Sequence, residues 1–276
     1  MSKHQAGTHL SPARQRYLKK QRTTKTLVRG CQLLILVAVV AIWETTARLG
    51  IIDSFIMSSP SRVWATVQNF RANNLLHHIG VTLTETVIGF SLGITLGILV
   101  AWLLWRCEGL SKILDPYLVM LNALPKIALG PVIIIWVGAG MQAVIVMALA
   151  ISLIVTIMEM LSGFKGTEAE LLKMGQTLGA TQGQLFRKIV FPYNLPTLFN
   201  CMKINIGLTL VGVIAGEFLV SRAGLGYLII FGGQVFQMDL VMTSVMVLAV
   251  LAAFFYQAIV WIERLSLFVF RRGARP

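Results

Sequence analysis

The sequence predicts an all-α, polytopic membrane protein with about six transmembrane helices. Three observations carry that prediction. Hydrophobic residues make up 56% of the chain and charged residues only 13%, where a soluble domain carries about a quarter charged. The apolar residues collect into blocks of about twenty, the length that crosses a hydrocarbon core of roughly 30 Å as a helix. Neither Val87–Trp105 nor Met141–Met158 contains an ionisable side chain. Finally, the basic residues gather in alternate connections, as the positive-inside rule requires of an even number of spans. Helices are the expected form because lipid leaves every backbone N–H and C=O to be satisfied within its own segment.

Taken in order, spans are expected at Val28–Leu49, Leu83–Trp105, Ile113–Val137, Met141–Leu161, Leu198–Val220 and Leu240–Ile262. Lys3, Arg14, Arg16, Lys19, Lys20, Arg22, Lys25 and Arg29 form a basic tail around the start of the first span, with no acid among them. Topology accounts for this tail, which is expected to be unstructured or to lie on anionic headgroups. In the second span Gly89, Gly93 and Gly97 recur every four residues, a spacing that lets helices approach closely. Pro125 and Pro131 interrupt the third span, which can therefore divide into two shorter pieces. With the N-terminus in the cytoplasm, Arg106 and Lys112 fall in a cytoplasmic loop. Lys165, Lys173, Arg187 and Lys188 fall in a longer one, and Arg264, Arg271, Arg272 and Arg275 at a cytoplasmic C-terminus. The other side receives Arg48, Arg62, Arg71 and Arg222.

The net charge of +13 does not indicate nucleic acid, since no soluble domain is left to present a phosphate-binding face. The first apolar stretch is long, lies well inside the chain and lacks a small-residue cleavage site, so a cleaved signal peptide is not expected. Cys31, Cys107 and Cys201 are far apart and suggest neither metal nor disulfide. His77 and His78 are adjacent, unlike ligands spaced along one helix face, and read as interfacial surface residues. No G-x-x-x-x-G-K-[ST] phosphate loop occurs, so no catalytic residue, metal or cofactor is expected in this chain.

The connection between the fourth and fifth spans holds the most specific pattern. Thr167-Glu168-Ala169-Glu170 has the form of a capping box, as does Thr181-Gln182-Gly183-Gln184. Two short helices are therefore expected. The first runs to Gly179, suited to a left-handed C-terminal turn. The second carries Leu185, Phe186, Ile189 and Val190 on its apolar side and is ended by Pro192. Two capped helices in a membrane loop make a rigid knob presented to a partner.

At these residues the chain resembles the permeases of binding-protein-dependent ATP-binding-cassette (ABC) importers. Their cytoplasmic signature is E-A-A, three residues, Gly, nine residues, then I-x-L-P. Here Lys173-Met174-Gly175 stands at the first three positions, Gly179 at the glycine and Ile189-Val190-Phe191-Pro192 at the last four. Lys173 replaces the glutamate and Met174 the first alanine, while Gly175 keeps the third position small. The resemblance covers nearly the whole chain after the basic tail and is closest to the branch handling nitrate, alkanesulfonates, taurine and the thiamine pyrimidine precursor. Pro60-Ser61, Leu114-Asp115-Pro116, the stretch from Leu124-Pro125-Lys126 to Trp136-Val137-Gly138-Ala139-Gly140, and Glu217 ahead of Gly224-Leu225-Gly226-Tyr227-Leu228-Ile229 follow that branch in order.

The resemblance implies a type I ABC importer permease fold in the cell membrane of a prokaryote, with both termini cytoplasmic. It divides the chain into a cytoplasmic tail 1–27, a permease domain 28–264 with coupling helices in 167–192, and a tail 265–276. Implied partners are an ABC ATPase subunit that holds ATP and Mg, an external substrate-binding protein, a second permease copy in a homodimer, and membrane lipid. The residues expected to engage the ATPase are Glu170, Lys173, Gly175, Leu178, Gly179, Ala180, Ile189 and Pro192. Lys126 and Pro125, at the interrupted third span, and Glu217 are candidates for the translocation path or its gate. The substrate implied is a small anion or small organic solute. Glu159 and Lys203 read as interfacial anchors.

An ATP-independent secondary transporter is the alternative function. It would be expected to show an internal repeat or several buried ion-coupling carboxylates, and the sequence displays only isolated acids near span ends. A membrane-embedded enzyme would need a nucleophile–base pair or paired aspartates inside spans. A vitamin-type scaffold unit would carry coupling helices, but the loop spacing and the G-L-G-Y motif speak against it.

Overall fold

A computed structural model describes residues 12–69 and 74–273, and every regular element among them is helical. Lys3, Arg71 and Arg275, with the extreme ends of both expected tails, lie outside the described residues. The chain forms two units, 1–64 and 65–276.

In the first unit α1 runs from Pro12 to Arg48, followed by α2 (Ser54–Met57) and the start of α3 (Pro60–Gln68). Thr26–Arg48 is the part apolar enough to cross a membrane. Of the two forms expected for the tail, unstructured or lying on headgroups, the first does not hold for its described residues, which are helical from Pro12. Its Arg, Lys and Gln residues are strong helix formers, so the span extends toward the N-terminus without a break. Leu33, Leu34, Ile35 and Ile42 are each more than 60% exposed, as befits a helix whose solvent is lipid. Glu44 pairs with Arg48 at 2.6 Å and accepts from the Ser61 N–H at 3.1 Å. The Pro60-Ser61 pair thus starts α3 with a proline, whose missing N–H costs nothing at a first helical position.

The second unit contains α4 (Leu75–Arg106), α5 (Glu108–Ala123), a 3₁₀ turn (Lys126–Leu129), α6 (Gly130–Val137) and α7 (Met141–Lys165). Then come α8 (Ala169–Thr177), α9 (Gln182–Leu185), a π turn (Phe186–Val190), α10 (Phe191–Tyr193), α11 (Leu195–Val220), α12 (Leu225–Gln234) and α13 (Met238–Gly273). The described residues hold 5 helices long and apolar enough to cross a membrane, or up to 6 if the bent pair α5–α6 is one span. That pair is bent by 86°. The bend falls where the sequence places it: Leu124 is extended (ψ 140°), as a residue before a proline tends to be.

Helices α4, α7 and α11 pack on one another as the core. The glycine series of α4 faces α7: a Cβ on Gly89 would meet Ala148 at 3.0 Å, and one on Gly93 would meet Ser152 Oγ at 2.7 Å. Gly212 and Gly216 of α11 bring that helix against the backbone of α7 at Ala148 and Val144. Small residues are what membrane helices need to pack, because lipid is as apolar as leucine and only close contact discriminates. Across α11 and α13, Lys203 pairs with Glu263 at 2.7 Å, so it ties these two helices together.

Candidate functional site: the loop knob, a groove and a buried polar lock

The knob between α7 and α11 is built much as its sequence suggests, with two corrections. The second capping box forms: Thr181 Oγ1 accepts from the Gln184 N–H and Gln184 Oε1 accepts from the Thr181 N–H. The first does not. Glu168 is the N-cap of α8 and makes no side-chain cap bond. The Thr167 hydroxyl is buried instead, accepting from Asn194 Nδ2 at 2.9 Å. The long-range partner wins because it satisfies two buried polar groups at once, whereas an exposed cap competes with water. This bond ties the beginning of the knob to its end, and Tyr193 Oη adds a 3.3 Å bond to Glu168. The second correction concerns Pro192. It lies within α10 rather than ending the helix, and the wider π turn of Phe186–Val190 precedes it. A proline ring clashes with the carbonyl four residues back, and a π turn widens the coil just there.

The signature positions have distinct physical duties. Gly179 adopts φ +73°, and the Gly179 and Ala180 N–H groups bond to the Gln176 and Gly175 carbonyls at 2.9 and 3.1 Å. That is the paired closure of a Schellman turn, which requires a left-handed residue after the helix. Gly175 is buried, and a Cβ there would come within 2.5 Å of Leu185 and 2.7 Å of Ile189. The third signature position is small because two helices touch at it. Glu170, Lys173 and Met174 are exposed on α8, and Leu178 is 80% exposed at the tip. Phe186 anchors the other side, with ring centroids 5.1 Å from Phe164, 5.5 Å from Trp105 and 6.0 Å from Trp102. Those rings belong to the ends of α4 and α7. The knob is thereby packed on the two core helices.

Lys126 and Pro125 sit at the α5–α6 break. Lys126 Nζ donates to Asn122 O (3.0 Å) and Oδ1 (3.2 Å). Both residues border a hollow with Leu124, Ile127, Ile151 and Val211. Ile127 and Val211 also line an apolar groove of about 600 Å³ beside Phe218 and Leu248. Glu159 lines a separate hollow with Ser162 and Thr197, near the start of α11.

Glu217 does not line these spaces. It is 1% exposed, and Thr82 of α4 donates to its Oε1 at 2.6 Å. The Gly226 N–H donates to its Oε2 at 2.5 Å. Leu225 N–H donates to Thr82 Oγ1 (2.8 Å) and Gly224 N–H to His78 Nδ1 (3.0 Å). The N–H groups that a helix start leaves unsatisfied are thus met for α12 by side chains of α4 and α11. Both motif glycines are needed: Gly224 has φ +110°, and a Cβ on Gly226 would lie 2.8 Å from Glu217 Oε2. His78 is half-buried and stacked on Tyr227 at 5.8 Å, not simply a surface histidine. Sequence reasoning missed its partner role and missed Glu85, which is 1% exposed and lies against the Glu217 carboxyl. The available signal was its position on the same face of α4 as Gly89, where an intramembrane carboxyl marks a site by default.

Comparison with known proteins agrees with this architecture. The family model for the binding-protein-dependent transport system inner membrane component matches residues 93–266. The chain is 30% identical to a probable ABC transporter permease protein of Haemophilus influenzae over 230 residues, covering 83% of this chain and 94% of that one. It is 28% identical to a formylaminopyrimidine transport permease protein of Halalkalibacterium halodurans, covering 70% and 77%. In fold it is similar to a chain of an inward-facing methionine ABC transporter, with TM-score 0.63, 22% identity and coverage of 69% and 94%.

Proposed function

The chain belongs to the family of binding-protein-dependent transport system inner membrane components and is a permease subunit of an ABC importer; from that premise we propose that the α8–α10 knob is gripped by a separate ATPase subunit. In this reading the ATPase holds ATP and Mg, and closure of the ATPase pair pushes the knob. The aromatic nest around Phe186 passes the motion to α4 and α7. The observation that carries the reading is Leu178: a large apolar side chain 80% exposed at the tip of a loop otherwise locked by buried contacts. An exposed apolar anchor on a stiff mount is what a docking groove recognises. Leu178 and Met174 supply the contact, Glu170 and Lys173 the flanking charge. Gly175, Gly179, Ala180, Ile189 and Pro192 hold the shape.

The termini face the cytoplasm in this reading, with the knob, and Glu217 stands at the external end of α11, roughly 30 Å from Leu195. An external binding protein delivers the solute. A second copy of the chain completes the path, with the groove beside Ile127 and Val211 turned toward it. Lys126 borders the hollow that shares Ile127 and Val211 with that groove, a cation that favours a small organic solute with an anionic group. To test the knob, a photo-crosslinking amino acid is placed at Leu178 and, as control, at Leu33 in α1. The expected result is an adduct from position 178 to a protein with a nucleotide-binding motif, and none from position 33. Equal labelling from both positions, or an adduct to lipid alone at 178, would refute the docking.

A further inference from the structure

Glu85 of α4 and Glu217 of α11 are both 1% exposed, and their carboxyl groups meet beside Thr82, which lies one turn before Glu85 and donates to Glu217. A contact between two carboxyl groups needs one hydrogen between them, and the surrounding donors decide where it resides. Glu217 accepts from the Thr82 hydroxyl and from the Gly226 N–H. Its lone pairs are in demand, and a proton on it would face donors. The Thr82 hydroxyl receives the Leu225 N–H and directs its one hydrogen at Glu217. Glu85 receives no such donors, and its Oε2 has no hydrogen-bond partner among the described residues. A neutral acid tolerates an unpartnered buried oxygen far better than a carboxylate does.

We propose that Glu85 is a positioning residue: a neutral acid that donates to the Glu217 carboxylate and so holds the start of α12 closed against α4 and α11. The arrangement carries one negative charge, placed at the positive end of α12, where a helix start favours an anion. Glu217 is the hub. Glu85 orients its carboxylate so that both oxygens point at their donors, and the Gly224-Leu225-Gly226 segment folds onto it. The inference stands apart from the ATPase reading, since it concerns the other end of α11 and would survive a failure of knob docking.

Two measurements on the purified full-length chain in lipid test it. Infrared spectroscopy reads the carbonyl stretch of a neutral carboxylic acid. Hydrogen–deuterium exchange of the peptide spanning 222–234 reads the amides of Leu225 and Gly226. The wild-type chain should show a neutral-acid band that disappears in Glu85→Gln. Exchange in Glu85→Gln should stay within about twofold of wild type, because the amide N–H reproduces the acid's donated bond. Glu217→Gln should raise exchange at that peptide roughly tenfold or more, since its amide presents hydrogens to the donors that Glu217 accepts from. Glu85→Ala should do the same, by leaving the carboxylate unoriented. The proposal is overturned if Glu85→Gln loosens the segment as much as Glu85→Ala. It is equally overturned if the band persists in Glu85→Gln and vanishes in Glu217→Gln, which would put the proton on Glu217. Because the decisive comparison is between Gln and Ala at position 85, a failure of Glu217→Gln to fold would leave the test intact.

Discussion

Gly175 has no room for a side chain: a Cβ would stand 2.5 Å from Leu185 and 2.7 Å from Ile189. Gly175→Val is therefore expected to lower stability by about 1–3 kcal/mol, the usual cost of overpacking, measured by thermal unfolding of the purified chain. Leu178, a few residues on, is the converse. Leu178→Asp should leave unfolding within about 0.5 kcal/mol, since exposed positions without special contacts rarely matter more. Tyr193 gives a pH-dependent prediction. The Glu168 carboxylate beside its hydroxyl, then burial, raises the phenol above its ordinary value. A raised value in the folded chain means that this bond's contribution is complete below the unfolded value of about 10 and is lost as pH climbs through the folded one. Spectrophotometric titration should find that Glu168→Gln brings one phenol down toward the ordinary value, and a curve identical to wild type would contradict the pairing. At this scale the signature residues were legible because spacing reveals small and left-handed positions. Glu85 was not: its meaning depends on a residue far along the chain, on a helix that periodicity cannot orient.

The knob is the element whose construction decides whether it can transmit force. Thr181→Ala removes a capping box with both bonds present and should cost about 1 kcal/mol. Thr167→Val deletes a buried bond to Asn194 and should cost as much or more, within about 1–3 kcal/mol. Chemical unfolding of the two variants compares them, and a silent Thr167→Val would show that the closure across the loop is unimportant. Phe186→Ala separates grip from transmission. It leaves the exposed tip in place while emptying the aromatic nest, so ATPase binding should persist while solute uptake driven by ATP falls. A coupled loss of both would argue against Phe186 as the link. The helix break at Leu124-Pro125 could be read from the sequence, because proline chemistry is local. The α12 helix could not. Its ten residues, three of them glycine, are too few to span, and its start is stabilised by side chains of α4 and α11 rather than by its own capping residues.

At the scale of the molecule, membrane helices packed through glycines carry one compact loop knob and, at the far end of α11, one buried polar lock. The fold class was legible because lipid imposes length and apolarity on every span. The helical basic tail and the Thr167–Asn194 closure were not, since one follows from propagation of a neighbouring helix and the other from a partner 27 residues away. In the proposed coupling an ATPase subunit holds this chain by the tip of the knob. The most direct measurement is ATP hydrolysis recovered with the affinity-purified chain, wild type against Leu178→Asp, with thermal unfolding of both recorded alongside. Hydrolysis is expected with the wild type, with its loss by at least roughly tenfold in the variant and matching unfolding curves. Hydrolysis undiminished in Leu178→Asp would contradict it.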